Sequence, residues 1–117
     1  MKKFLLSLLL VAFLCSSAWA AGPTIEEDNY MQFTAADQET TTKFTIYTIV
    51  WTSCVADDIA DNDTMVLEDG NGTVILDLAA TAAGDKFIIH IPNGIRVHGL
   101  KAEILDGGYL YVYGKRR

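Results

Sequence analysis

Apolar and polar residues alternate with a period of two in several short stretches of the chain, and each stretch is closed by Gly, Asn, Asp or Pro. Side chains of a strand point to opposite faces in turn, so the pattern predicts β-strands with one face on a core. The clearest stretch is Gly99–Tyr113. Its runs Leu100–Leu105 and Tyr109–Tyr113 flank Asp106-Gly107-Gly108. Glycines supply the positive φ of a tight turn, which predicts a β-hairpin. In its second arm Tyr109, Tyr111 and Tyr113 fall on one face and Leu110 and Val112 on the other, and one of these faces must be core.

Lys43–Ser53 is β-branched or aromatic almost throughout and apolar on both faces, which predicts a central strand. Thr64–Glu68 and Thr73–Leu78 enclose Asp69-Gly70-Asn71-Gly72, residues that tolerate the left-handed backbone of a hairpin loop. Ala79 to Asp85 is a connector of small residues, too short for a stable helix. Lys86–Ile91 predicts a further strand, ended by Pro92, which lacks an N–H for the ladder. Asn93-Gly94 then turns the chain, and Ile95–His98 runs through a bend or bulge at Gly99 into the final hairpin. Six or seven short strands with no helix among them predict an all-β fold, a small antiparallel β-sandwich of jelly-roll or immunoglobulin-like type. There is no room for the crossover helices of a parallel sheet.

The front of the chain reads differently. Lys2 and Lys3 precede the apolar run Phe4–Leu14, and Ala18-Trp19-Ala20 places small residues three and one before a cut. These are the parts of a secretory signal peptide, with cleavage expected after Ala20. The run is shorter than the roughly 20 residues a membrane span requires, and Leu14 before Cys15 does not suit a lipoprotein signal. The expected organisation is a signal peptide over 1–20, a flexible N-terminal arm over 21–42, a β-sandwich domain over 43–114 and a solvated basic tail, Lys115-Arg116-Arg117. The arm admits a short strand at Tyr30–Phe33. The product is secreted, periplasmic or extracellular, and touches membrane only through its uncleaved signal.

Charge and cysteine content narrow the chemistry. Loss of Lys2 and Lys3 leaves seven Lys and Arg against 15 Asp and Glu, about −8, which disfavours nucleic acid as a partner. Cys54 is then alone, cannot form an internal disulfide, and beside Trp51 reads as a small buried hydrophobe, with an exposed intersubunit link as the alternative. Asp57, Asp58, Asp61 and Asp63 form the densest run of charge, and oxygen-rich loops of this kind can hold calcium. Their spacing lacks the central Gly and closing Glu of an EF-hand loop, so a solvated acidic loop competes with a calcium rim. Tyr109, Tyr111 and Tyr113 offer an aromatic ladder, read either as a binding surface or as packing. His90 and His98 lack metal-ligand spacing, and no Ser, His and Asp or paired-carboxylate grouping is legible, so no enzyme is expected.

Several segments taken in order carry a likeness: Ile49-Val50-Trp51-Thr52-Ser53, Ala56-Asp57-Asp58-Ile59-Ala60-Asp61-Asn62-Asp63, Leu67-Glu68-Asp69-Gly70-Asn71-Gly72, the Pro92 turn, Gly99-Leu100-Lys101, and Leu105-Asp106-Gly107-Gly108-Tyr109-Leu110-Tyr111-Val112-Tyr113. From about Phe44 to Tyr113 the chain resembles short single-domain β proteins of bacteriophages and prophages, mostly uncharacterised and virion-associated. Its signal peptide departs from that pattern and suits a domain at the cell envelope or outside the cell. The resemblance implies a non-enzymatic structural module that packs against copies of itself or another surface protein. The alternative is a calcium-assisted carbohydrate or surface-binding adhesin, with the three tyrosines as platform and the four aspartates as rim.

Overall fold

The computed structural model describes residues 21–117, and the signal peptide expected over residues 1–20 lies outside them. Seven strands run in order: β1 (Ile25–Glu26), β2 (Tyr30–Phe33), β3 (Glu39–Thr52), β4 (Thr64–Asp69), β5 (Val74–Ala79), β6 (Lys86–Leu105) and β7 (Tyr109–Arg116). The described residues contain no helix. All pairings are antiparallel and join the strands into one sheet of order β1-β2-β7-β3-β6-β4-β5. The all-β antiparallel reading is therefore correct.

The two long strands shape the sheet. β3 has 14 residues and β6 has 20, and their mutual register slips between Thr40 and Lys43 and again between Ile46 and Thr48. An extra residue in a ladder bends the strand and swaps the faces of the residues beyond it. The core face of β3 accordingly carries Phe44 and Ile46, then Ile49 and Trp51, with Tyr47 as the exposed residue at the slip. This slip is why Lys43–Ser53 looks apolar on both faces in sequence.

Met31 and Phe33 of β2, Leu110 and Val112 of β7, and Met65 and Leu67 of β4 are all fully buried and belong to one apolar cluster. These strands lie on either side of the β3–β6 pair in the strand order, so one apolar cluster spans the sheet. Trp51 stacks on Phe87 in this core with ring centres 5.3 Å apart. Burying side chains of this size stabilises the fold by about 1.5–3 kcal/mol each.

Four sequence expectations change. The hairpin expected between Leu100–Leu105 and Tyr109–Tyr113 does not form, because β3 lies between β6 and β7: Trp51 pairs with Phe87 on one side and Leu110 on the other. Asp106-Gly107-Gly108 still reverses the chain, and Gly108 has φ of 70°, but the returning strand bonds to β3. Pro92 does not end a strand. It sits with Asn93 and Gly94 in the extra residues of β6 between the pairs Thr48↔His90 and Ile46↔Ile95, where the ladder asks for no N–H. Residues 21–42 are part of the sheet rather than an arm, with β2 paired along β7 and Tyr30 opposite Tyr113. The C-terminal residues are likewise stitched in: the Arg116 and Arg117 amides donate to the carbonyls of Asp28 and Lys43 at 2.8 and 3.0 Å.

Candidate functional site: an open tyrosine face

Directly opposed residues of antiparallel strands share a face, so the register defines what the outer surface presents. One row runs Tyr30, Tyr113, Thr48, His90 across β2, β7, β3 and β6, and the next runs Gln32, Tyr111, Val50, Ile88. Tyr109 opens a third row with Thr52 and Lys86. Leu110 and Val112, which alternate with these tyrosines, are fully buried. The core face of β7 is thus the aliphatic one, and the tyrosines face outward.

Tyr113 stacks on Tyr30 at 5.9 Å and 24° and on Tyr111 at 6.2 Å and 16°. The Gln32 amide donates to the Tyr111 hydroxyl at 2.9 Å, which fixes that ring at its polar end. Beside the aromatic stack, Ile88 is 50% exposed and Tyr113 41% exposed. The result is a broad face, apolar at Val50 and Ile88, aromatic at β7, and rimmed by Gln32, Thr48 and His90; Thr48 Oγ1 lies 3.3 Å from His90 Nδ1. The sequence names three of its tyrosines. Tyr30, Gln32 and Ile88 are legible as the outward positions alternating with Met31, Phe33, Phe87 and Ile89, but only the strand order makes them neighbours.

Tyr109 lies apart from the stack, against Cys54. The Cys54 thiol donates to the Asp57 carbonyl at 3.4 Å, and its sulfur is the main contact holding the Tyr109 phenol above its ordinary pKa. Cys54 itself is half-buried in the turn after β3, which its backbone N–H closes by donating to the Asp57 carbonyl at 3.0 Å, and is not a core residue.

Of the four aspartates, Asp63 is the one whose side chain braces the loop between β3 and β4. Asp63 Oδ2 accepts the Ala60 amide at 2.8 Å, and the Asp63 carbonyl accepts the Ala80 amide at 2.8 Å. These bonds hold Ile59, fully buried, under the Gly107-Gly108 turn, where the Trp51 indole donates to the Gly107 carbonyl at 2.8 Å. Asp58 and Asp61 are exposed, and Asp57 is half-buried. Among the described residues no group of three or more His, Cys, Asp and Glu side chains converges as metal ligands would.

A concavity of about 810 Å³ opens away from this face, where the β4–β5 turn leans on β6. Gly70 packs so closely on the His98 carbonyl that a Cβ would come within 2.0 Å of its oxygen. Glu39, Glu68, Asp69 and Lys101 line it. Lys101 binds Glu103 at 2.9 Å, and this bond and the opposite charge raise the Lys101 pKa and lower that of Glu103. The ion pair is solvent-exposed, and a further carboxylate, Asp37, lies 3.9 Å from the Lys101 ammonium. Comparison of the chain with protein-family models, curated proteins and solved structures finds no match.

Proposed function

We propose that the protein is a secreted, non-enzymatic structural module of phage-like origin that acts at the cell envelope or outside the cell by contact with protein surfaces, copies of itself included. The observation that carries this reading is the outer sheet face, where Tyr113, Tyr111, Tyr30, Val50 and Ile88 stand side by side on four adjacent strands. Tyrosines on a rigid sheet give large contact area at low entropic cost, because the ring packs while the hydroxyl can keep a polar partner. The resemblance of Phe44–Tyr113 to phage β modules supplies the class. The signal peptide supplies the address.

A carbohydrate-binding surface is the second reading, favoured by the polar rim of Gln32, Thr48 and His90 beside the aromatic stack. Against it, the near-parallel rings at 5.9 and 6.2 Å spend part of their faces on one another, whereas a sugar platform needs them open. Calcium assistance belongs to this second reading. The test is the mass of the secreted protein by light scattering across concentration, with calcium and with chelator, for the wild type and Ile88→Lys. Assembly indifferent to calcium and weakened by Ile88→Lys supports the structural module. A monomer whose stability rises with calcium and which is retained on a glycan array replaces it with the adhesin.

A further inference from the structure

The loops on either side of β4 carry the same short pattern. Asn62-Asp63-Thr64 and Asn71-Gly72-Thr73 each place a threonine two residues after an asparagine with no proline between, the acceptor pattern for N-linked glycans in exported proteins. A transferase must take both side chains into its own cleft, the hydroxyl for alignment and the carboxamide for reaction. The fold treats the two copies differently. At the first, the Asn62 amide donates to the Ala80 carbonyl at 3.0 Å, and Thr64 gives its amide and its hydroxyl to Asp106 Oδ2 at 2.9 and 2.8 Å. Thr64 also already belongs to β4, paired with Ala79, so its hydroxyl is freed only by opening the sheet. At the second, Asn71, Gly72 and Thr73 are all exposed at the tip of the β4–β5 hairpin. The tip is held from behind: Asp69 Oδ1 accepts the Asn71 and Thr73 amides at 2.9 and 3.0 Å, and the Asp69 carbonyl accepts the Gly72 amide at 3.1 Å. These bonds use the backbone and leave the side chains alone. Among the described residues no protein group bonds the Asn71 carboxamide or the Thr73 hydroxyl, and a Cβ at Gly72 would meet nothing within 4 Å.

We propose that Asn71 is an N-glycosylation acceptor, modified after export by a transferase that draws on an isoprenoid-pyrophosphate-linked oligosaccharide. The proposal rests on the export reading of residues 1–20 and adds a modification site to the contact module. In the transfer, Asn71 Nδ2 bonds to the anomeric carbon of the first sugar as the bond from that carbon to the pyrophosphate oxygen breaks. The carboxamide gives up one proton, and the isoprenoid pyrophosphate leaves with the electron pair. Nothing is oxidised or reduced. Asp69 adds a second feature, because it stands two residues before Asn71, where bacterial transferases of this class take a carboxylate; Ala60 holds that place before Asn62. The hairpin tip therefore meets both the short and the extended acceptor pattern, and the Asn62 loop only the short one. The tip also lies away from the tyrosine face. It leans through Gly70 on His98 and lies beside Thr40, whereas the tyrosines run along Thr48–Thr52 of β3.

The experiment expresses the full chain in a bacterium supplied with a periplasmic oligosaccharyltransferase and its lipid-linked oligosaccharide, in cells where a reference acceptor is glycosylated. The readout is the intact-glycopeptide mass. The wild type should carry one glycan, on the peptide that contains Asn71. Asn71→Gln and Thr73→Ala should abolish it, and Thr73→Ser should keep it, because the hydroxyl is what the transferase needs. Asp69→Asn keeps an Oδ1 acceptor for the turn and removes the charge, so most of the glycan should be lost while far-UV circular dichroism stays unchanged. Asn62→Gly, which suits the φ of 68° at that position, should leave the modification as it is. Exported, processed protein without a glycan overturns the proposal and spares the export reading. A glycan on Asn62 alone, or one on Asn71 that survives Thr73→Ala, overturns it as well. A chain kept in the cytoplasm with residues 1–20 still attached overturns the export reading and the proposal together.

Discussion

The two edges of the sheet are built on opposite plans. The β1 edge is two residues long, comes after Pro23, and runs into Glu26-Glu27-Asp28. The Glu26 carboxylate is bound by the hydroxyls of Thr40 and Thr42 on β3, which ties the strand back to the sheet. Short length, proline and charge are the usual means by which an edge avoids pairing with other chains. β5 is three times as long, has no proline, and carries a single charge, Asp77, among aliphatic residues. The contrast separates two builds that sequence composition does not distinguish: a margin tied back to the sheet by side-chain bonds on one side, and an aliphatic margin paired on a single flank on the other.

The largest expected effect breaks the closed side. Phe33 is fully buried on β2, and Phe33→Ala should cost about 3–5 kcal/mol of stability, the range for large aromatic truncations in a core. Val74→Ala at the open edge should cost under about 1 kcal/mol, as expected of a half-exposed side chain. Urea melts of the two variants under monomeric conditions check the pair. Equal, small losses would return residues 21–42 to the status of an arm.

A second, smaller test concerns the inner end of the closed side. Gln32 joins β2 to β7 through the Tyr111 hydroxyl at 2.9 Å. Gln32→Ala should cost about 1 kcal/mol, a typical net value for one hydrogen bond. Tyr111→Phe should cost no more, and the double variant should lose less than the sum, because one bond cannot be removed twice. Full additivity would show that the amide and the phenol act independently.

These contrasts also mark how much of the molecule is legible in its sequence. The β4–β5 hairpin comes directly from Asp69-Gly70-Asn71-Gly72, since a short loop brings its own flanks together. The same logic misleads at Asp106-Gly107-Gly108: the turn chemistry is real, yet β3, more than fifty residues earlier, takes the place beside β7. Local residues specify a reversal and not the strand that fills the gap. Alternation places Leu110 and Val112 opposite the tyrosines, but does not say which side is core. That choice depends on Phe33, Met31 and Trp51 arriving from elsewhere. Pro92 and Gly94 look like strand breakers because a bulge and a turn draw on the same residues. The acidic loop shows density of charge without geometry. In the fold, Asp63 holds the chain around Ile59, a plug residue that no period announces.

The smallest effect lies where β6 leaves β3 for β4, at the base of the open side. Lys101 bonds Glu103 at 2.9 Å, and this contact, first as a hydrogen bond and then as opposite charge, lowers the Glu103 pKa and raises that of Lys101. A carboxylate with a depressed folded-state pKa adds stability that is present above its unfolded value and is lost as the pH falls through the folded one. For Lys101 the sign reverses, and its contribution fades as the pH rises through a folded pKa above 10.5. Both side chains meet solvent, so screening keeps the pair weak. The expected result is a shallow acid limb in the melting midpoint of the wild type that flattens in Glu103→Gln and flattens further in salt. Since the pair sits beside the β4–β5 hairpin, hydrogen exchange along β5 should quicken slightly in Glu103→Gln while β1 and β2 keep their rates. A change shared equally by both edges would mean that the pair supports the whole sheet and not its open margin.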